Sequence, residues 1–186
     1  MNKKKNIKVI AGILILACII TVAISFAILK TTLHGKKNVI LTVGDIDVSI
    51  ADDSTNVISV SNGIPVADSV GQASSPYKFT IKNNGSKSVK ADIYLDDDSD
   101  QRQTCITSNG TCDLITNSMI SYQLITPSAT TSSILSSNRK IGTVTIAAKG
   151  SSNCELRVWM NMDADDSAKG KYFFGKINLD VTEITK

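Results

Sequence analysis

The sequence predicts an all-β protein: an antiparallel β-sandwich of jelly-roll or Ig-like type that follows an N-terminal hydrophobic signal or anchor helix. Three observations indicate this fold class. An uncharged run of 21 residues begins at Val9, alternation of apolar and polar residues dominates the later part of the chain, and turn sequences such as "NNGS" and "DADDSAKG" separate the alternating stretches. Period-two alternation is typical of strands with one buried face, and Asn-Gly and Asp-rich segments are typical of the turns between strands.

The first 29 residues have the features of an export signal. Val9 to Leu29 is a run of 21 residues without charge. As a helix it would be about 31 Å long, which matches the hydrocarbon core of a bilayer. Four lysines between residues 3 and 8 precede the run, and a basic flank of this kind favours a cytoplasmic N-terminus. We therefore expect the rest of the chain to lie on the extracellular side of the membrane or to be secreted.

Two interpretations of this segment remain open. A cleaved signal peptide would use Ser25 and Ala27 as its small residues, with a candidate cleavage after Ala27. An uncleaved signal anchor would use the whole run, which is longer than the apolar region of about 7–15 residues in most signal peptides. The predicted organisation is thus a signal or anchor over 1–29, a basic linker over 30–38 and an extracellular β-domain over 39–186.

The net charge of +3 comes from the N-terminal part of the chain. All 17 acidic residues lie beyond residue 37, together with 13 of the 20 Lys and Arg residues. The predicted domain is therefore acidic and lacks the basic footprint of a nucleic-acid-binding protein.

Alternation marks the strands of the predicted domain, which we expect to number seven to nine. Their inward-facing apolar residues are Ile46, Val48, Ile50, Tyr77, Phe79, Ile81, Val89, Ala91, Ile93, Leu95, Ile120, Tyr122, Leu124, Leu156, Val158, Met160, Phe173, Ile177, Leu179 and Val181. Tyr77, Phe79, Tyr122 and Phe173 are the predicted core aromatics. Residues 126–140 are predicted to form a Ser/Thr-rich connection.

Trp159 breaks this pattern, because it shares its parity with Glu155 and Arg157 and so points away from the predicted core. A bulge would turn the ring inward, or a neighbouring segment would cover it. Alternatively, Trp159 is an exposed contact for a partner.

Cys105 and Cys112 bracket "ITSNGT" and are predicted to form a disulfide across a tight hairpin, since an extracellular location is oxidising. Cys154 shares the parity of Leu156 and is predicted to be a small buried thiol.

Two acidic stretches are candidate calcium sites. Asp96, Asp98 and Asp100 alternate in "DDDSD", and Asn161, Asp163 and Asp165 alternate in "NMDADDS". Alternate loop residues supply carboxylate oxygens to calcium, but neither stretch has the Gly and Glu of an EF-hand loop. The competing interpretation is a pair of solvated acidic loops, and no cofactor is otherwise expected.

An enzyme is not predicted. His34, the only histidine, lies in the basic linker, and the sequence contains no zinc-protease, nucleophile-elbow or phosphate-loop motif.

The stretches "ILTVGDIDVSI", "GIPVADSVG" and "YKFTIKNNGSKSVKADIYLD" follow "SFAIL" in that order. Over roughly residues 22–95 this order resembles the TasA/camelysin group of bacterial surface and matrix proteins. The chain departs from that group at residues 28–31, where "ILKT" replaces an aromatic-rich start, and it has no ligand set for the protease activity assigned to camelysins. The resemblance implies a jelly-roll-like sandwich, export by a dedicated signal peptidase and a structural role at the surface or in a biofilm-type matrix.

Two functions are therefore expected from the sequence. The first is a non-enzymatic surface or matrix protein that associates with other surface proteins or with itself, by addition of the strand predicted from Ile40 to Ile50 to a neighbour's sheet. That strand would otherwise pair within its own domain. The second is a membrane-tethered binding module or adhesin whose loops 96–112 and 161–170 form the contact surface.

Overall fold

The computed structural model describes residues 39–43, 46–52, 57–61, 64–107 and 110–184. The predicted signal segment 1–29, with Ser25 and Ala27, and the linker 30–38 with His34 lie outside these residues. Within the described ranges, the helices are all too short or too polar to cross a membrane.

The described residues form strands β1 to β12 and two short α-helices. The strands are β1 (Val39–Val43), β2 (Ile46–Asp52), β3 (Ile58–Ser61), β4 (Tyr77–Asn83), β5 (Val89–Asp97), β6 (Ile106–Thr107), β7 (Gly110–Thr111), β8 (Ile120–Ile125), β9 (Thr130–Ile134), β10 (Lys140–Ile146), β11 (Ser151–Met160) and β12 (Tyr172–Glu183). The helices are α1 (Asp68–Gln72) and α2 (Ser99–Thr104), and single 3-10 turns occur at Asn117–Met119 and Asp166–Ala168.

These strands form two principal sheets, and the pairs within them are antiparallel. One sheet has six strands in the order β1-β2-β4-β11-β8-β9, and the other has four in the order β10-β5-β12-β3. The short strands β6 and β7 form a separate hairpin. The all-β prediction is confirmed.

Both principal sheets contribute side chains to one hydrophobic cluster. The inward set predicted from alternation is buried in the structure, apart from Tyr77 and Val158, which are partly buried against the same cluster. Phe79, Tyr122 and Phe173 are therefore core aromatics as predicted, and Cys154 is buried as predicted. The sheets approach closely at Gly142 in β10, where any side chain would collide with Leu124 in β8.

The structure corrects two predictions of connectivity. The single strand predicted from Ile40 to Ile50 is a pair of antiparallel strands, β1 and β2. The connection predicted over 126–140 contains β9, which pairs with β8. Strands β3 and β10 were not among the predicted strands; β10 carries a register shift between Lys140 and Gly142 that disturbs its alternation.

Candidate functional site

Trp159 is buried beneath a segment that crosses the outer face of the six-stranded sheet. The ring is 5% exposed, although its strand keeps a regular register with Ser121 opposite it in β8. The prediction of an exposed contact is therefore wrong, and no bulge is involved. A neighbouring segment covers the ring, which is one of the interpretations that the sequence left open.

The covering segment is residues 65–74, here called the strap, which includes α1. Three hydrogen bonds attach it to β11. The amide of Val66 donates to the carbonyl of Met160 at 3.1 Å, and the Trp159 indole N–H donates to Asp68 Oδ1 at 3.1 Å. Arg157 Nε donates to the carbonyl of Ser74 at 2.9 Å.

Gly71 makes this close approach feasible. It lies directly on the indole, and a Cβ at this position would overlap the ring atoms of Trp159. A tryptophan on an outward face and a glycine about ninety residues earlier give no local signal of contact, so sequence periodicity could not identify the pair. The strap is therefore a structural cover for the ring of Trp159.

The first candidate calcium stretch is divided among different structural roles. Asp98 is buried and caps α2, because its Oδ1 accepts from the amides of Asp100 and Gln101 at 3.1 and 3.2 Å. Asp96 accepts a hydrogen bond from Nδ2 of Asn178 in β12. Asp100 is exposed in the first turn of α2, where it complements the helix dipole.

The second candidate stretch is arranged as two successive turns. Asn161 is buried, donates from Nδ2 to the carbonyl of Ser118 at 2.8 Å and accepts from the amide of Asp163 at 3.0 Å. Asp165 accepts from the amide of Ser167 at 2.8 Å, and its hydrogen bonds with Ser167 lower its pKa.

Neither stretch gathers a metal-ligand set. In the part of the chain that the structure describes, no three His, Cys, Asp or Glu side chains converge as metal ligands. The geometry therefore gives calcium no support at either stretch and favours the solvated-loop interpretation, with Asp98 and Asn161 as buried structural exceptions.

Burial raises the pKa of three described groups. Burial raises the pKa of the Cys154 thiol, so this thiol stays protonated and weakly nucleophilic at neutral pH. Burial, with the nearby Asp52 carboxylate, also raises the pKa of Tyr77, and burial raises that of Tyr122. Such phenols remain neutral at physiological pH, so neither is poised to transfer a proton.

The predicted disulfide is present in the structure. Cys105 and Cys112 are joined, with their Cα atoms 5.7 Å apart, and the β6–β7 hairpin lies between them. The bridge lies within the connection from β5 of the four-stranded sheet to β8 of the six-stranded sheet. This connection also contains α2.

A shallow cleft lies beside the second loop that the sequence singled out. It has a volume of about 330 Å³ and is lined by both apolar and charged side chains. Pro65, Met160 and Ala168 provide apolar walls, and Asp165 and Lys169 lie at its polar side. Ile64, which also lines it, is 80% exposed, so the cleft has an apolar rim open to solvent.

The two outer strands of the six-stranded sheet are β1 and β9. Strand β1 pairs with β2 along Val39–Val43, and its other edge has no partner strand among the described residues. An unpaired edge exposes backbone donors and acceptors that another chain can use. Strand β9 likewise pairs with β8 on one side and has no other partner strand among the described residues.

Comparison with protein-family models, with curated proteins and with solved structures gives no match to this chain.

Proposed function

We propose that this chain is a non-enzymatic structural protein of the cell surface or extracellular matrix, and that it acts by protein–protein association. Its domain is a β-sandwich of jelly-roll or Ig-like type. The N-terminal hydrophobic segment directs it across the membrane, and the protein is then released or remains tethered. The resemblance to the TasA/camelysin group over roughly residues 22–95 supports the same role.

The observation that carries this proposal is the position of β1. This uncharged strand, with the sequence VILTV, is the outermost strand of the six-stranded sheet and follows directly after the predicted signal and linker. Because β2 is the only neighbour of β1 among the described strands, an equivalent pairing with another copy would restore the same backbone hydrogen bonds. Addition of β1 to the sheet of the next subunit would build a fibre, since the contact is head-to-tail.

The interior of the domain supports a structural role. Buried side chains from both principal sheets form one hydrophobic cluster, and the buried side chains of Asn83, Asp98 and Asn161 serve turns and a helix cap. The disulfide suits an oxidising extracellular location.

The experiment is to express the full chain in a Gram-positive host and to examine membrane, cell-wall and medium fractions by electron microscopy. We expect filaments or a matrix fraction containing the protein. Leu41→Pro removes a backbone donor from β1 and should abolish assembly, whereas Thr42→Ser keeps the strand and should assemble normally. Mass spectrometry of the N-terminus in each fraction determines whether cleavage after Ala27 accompanies release. A monomeric, membrane-retained protein at high concentration would exclude the matrix function.

A second function, a membrane-tethered binding module or adhesin, is favoured by one observation. The apolar-rimmed cleft of about 330 Å³ lies beside loop 161–170, which the sequence had indicated as a contact surface. Ile64→Asp would place a charge on this rim without disturbing the core. Loss of adhesion in Ile64→Asp, with assembly unchanged, would identify the cleft as the binding surface; unchanged adhesion would exclude it.

A further inference from the structure

Strand β9 differs from every other strand whose side chains the structure describes, because all five of its residues are exposed. It is the last strand of the six-stranded sheet, and the other sheet ends at β10. Thr131 and Ser133, which face the same side as the buried residues Tyr122 and Leu124 of β8, are exposed as well. The inner face of β9 therefore extends beyond the hydrophobic core.

In the part of the chain that the structure describes, this edge carries no charge, proline or bulge. Natural edge strands carry charges, proline or a bulge, or they are very short. The register of β9 with β8 is continuous from Ser121–Ile134 to Ile125–Thr130, and residues 126–137 contain no charged side chain. Pro127 lies outside the strand.

The edge strands of the other sheet are protected. Strand β10 begins with Lys140, has a register shift between Lys140 and Gly142, and follows Arg139, whose φ is 58°. Strand β3 has only four residues. The two edge strands of the four-stranded sheet therefore have protections against pairing that β9 lacks.

We propose that β9 is a homotypic pairing surface: the β9 strands of two copies pair antiparallel about a two-fold axis at Ser132. In this register Thr130 lies opposite Ile134 of the partner, Thr131 lies opposite Ser133, and Ser132 lies opposite its own equivalent. Pairs of β-branched residues and of hydroxyl side chains stabilise adjacent antiparallel strands. The two six-stranded sheets then form one continuous sheet across the dimer.

The lack of charged side chains over residues 126–137 makes this edge compatible with a second copy of itself. A strand without charged residues offers no electrostatic basis for selecting a different protein. Self-pairing instead brings no like charges together, because the nearest charge after the strand, Arg139, lies at opposite ends of the two antiparallel strands. The contact is isologous, so it closes at two copies.

This inference goes beyond the proposed function, since it uses the opposite edge of the sheet from β1 and yields a dimer, not a fibre. Two five-residue strands bury much less surface than a standard stable interface. Pairing is therefore weak in dilute solution and depends on a high local concentration, which a membrane or a matrix supplies.

Cysteine cross-linking of the full chain in mild detergent tests the proposal. Directly opposite residues in antiparallel strands have Cα atoms about 4.5–5.5 Å apart, which lies within the range for a disulfide. Ser132→Cys should thus give oxidised dimers on a non-reducing gel. The matched control is Thr145→Cys, at an exposed position of the edge strand β10. It should give at least about fivefold less oxidised dimer than Ser132→Cys.

The register has its own test. Thr130→Cys and Ile134→Cys proteins should cross-link when mixed and much less when each is oxidised alone, because equal positions are four residues removed from each other in the antiparallel pair. Strong cross-linking of Thr130→Cys to itself would instead indicate parallel pairing and would overturn the proposal.

A non-covalent measurement completes the experiment. Ser132→Lys places two like charges opposite each other and should weaken the dimer at least about threefold in sedimentation, with Trp159 fluorescence unchanged as evidence of folding. Equal cross-linking of Ser132→Cys and Thr145→Cys, or a dimer insensitive to Ser132→Lys, would reject β9 as the interface. Leu41→Pro should leave the β9 dimer intact, so failure of fibre assembly and failure of this inference are distinguishable.

Discussion

The indole N–H of Trp159 donates to Oδ1 of Asp68 at 3.1 Å, across 91 positions of the chain. This bond joins the strap to a strand whose outer face would otherwise expose a tryptophan. The strap therefore adds a second, smaller apolar contact on the side of the sheet opposite to the main core. Residues that appear to be a partner-binding surface in the sequence are here part of the folded domain.

The contact between Gly71 and Trp159 predicts a strong effect of a small substitution. Gly71→Ala should lower the free energy of unfolding by about 1–3 kcal/mol, because the new methyl group overlaps the indole and forces the strap outward. Urea unfolding monitored by Trp159 fluorescence measures the change. Ser69→Ala, at an exposed position of the same helix, should alter stability by less than about 0.5 kcal/mol. A fully stable Gly71→Ala protein would show that the strap is not closely packed on the ring.

Asn83 predicts a second large effect, because its side chain closes the turn between β4 and β5. It is 1% exposed, and its Nδ2 donates to the carbonyls of Lys87 at 2.8 Å and Ala147 at 3.0 Å. Its Oδ1 accepts from the amide of Gly85 at 3.0 Å. Asn83→Ala removes these hydrogen bonds from a buried side chain and should cost about 2–4 kcal/mol.

The matched control for this prediction is the next residue. Asn84 is exposed, and its side-chain bond to Asp47 is long at 3.4 Å. Thermal or urea unfolding measures both variants. Asn84→Ala should change the free energy of unfolding by less than about 0.5 kcal/mol. Equal losses in the two variants would contradict the role assigned to Asn83.

Alternation predicted the buried set well because each of those strands has one face on the shared core. It could not indicate β9, since every residue of that strand is exposed and no periodicity exists. In β10 the register shift buries Ile141 together with Val144, which breaks the period of two. For Trp159 the sequence left two interpretations open for a different reason: the segment that covers the ring is distant in sequence. Local patterns describe one strand at a time and carry no information about a segment that crosses it.

The role of Asp98 as the cap of α2 leads to a prediction about the response of the protein to calcium. Its carboxylate is used by the cap of α2, so Asp98→Ala should lower the free energy of unfolding by about 1 kcal/mol through loss of the cap. We expect Asp98→Ala to lower the free energy of unfolding by the same amount in excess calcium and in the presence of a chelator. Calcium should leave the thermal midpoint of the unsubstituted protein unchanged. Asp100→Ala, which removes an exposed carboxylate from the same stretch, serves as the control and should have little effect. A calcium-dependent rise in the midpoint that Asp98→Ala abolishes would restore the metal-site interpretation.

Asp92 predicts a specific dependence of stability on pH. Burial alone would raise its pKa, but hydrogen bonds from Lys140 at 2.8 Å and Thr143 at 2.7 Å, with the charge of Lys90, lower it below the ordinary value of 3.8. Because the folded pKa is the lower one, the stabilisation is present above pH 3.8 and is lost as the pH falls from there through the folded pKa. Asp92→Asn should therefore cost about 0.2–1 kcal/mol near neutral pH, the range of a largely solvent-screened pair. Urea unfolding at about pH 7 and about pH 2.5 should show this difference closing at the acidic value.

The control for Asp92 lies directly opposite it. Asp180 in β12 is the cross-strand neighbour of Asp92, so the two carboxylates repel each other. Asp180→Asn should leave stability at neutral pH unchanged or slightly higher, while Asp92→Asn lowers it. If the Asp92→Asn difference were equally large at both pH values, its cause would be the geometry of the hydrogen bonds and not the ionised carboxylate. If Asp180→Asn were the more destabilising of the two variants, the carboxylate of Asp180, and not that of Asp92, would be the one that pairs with Lys90 and Lys140.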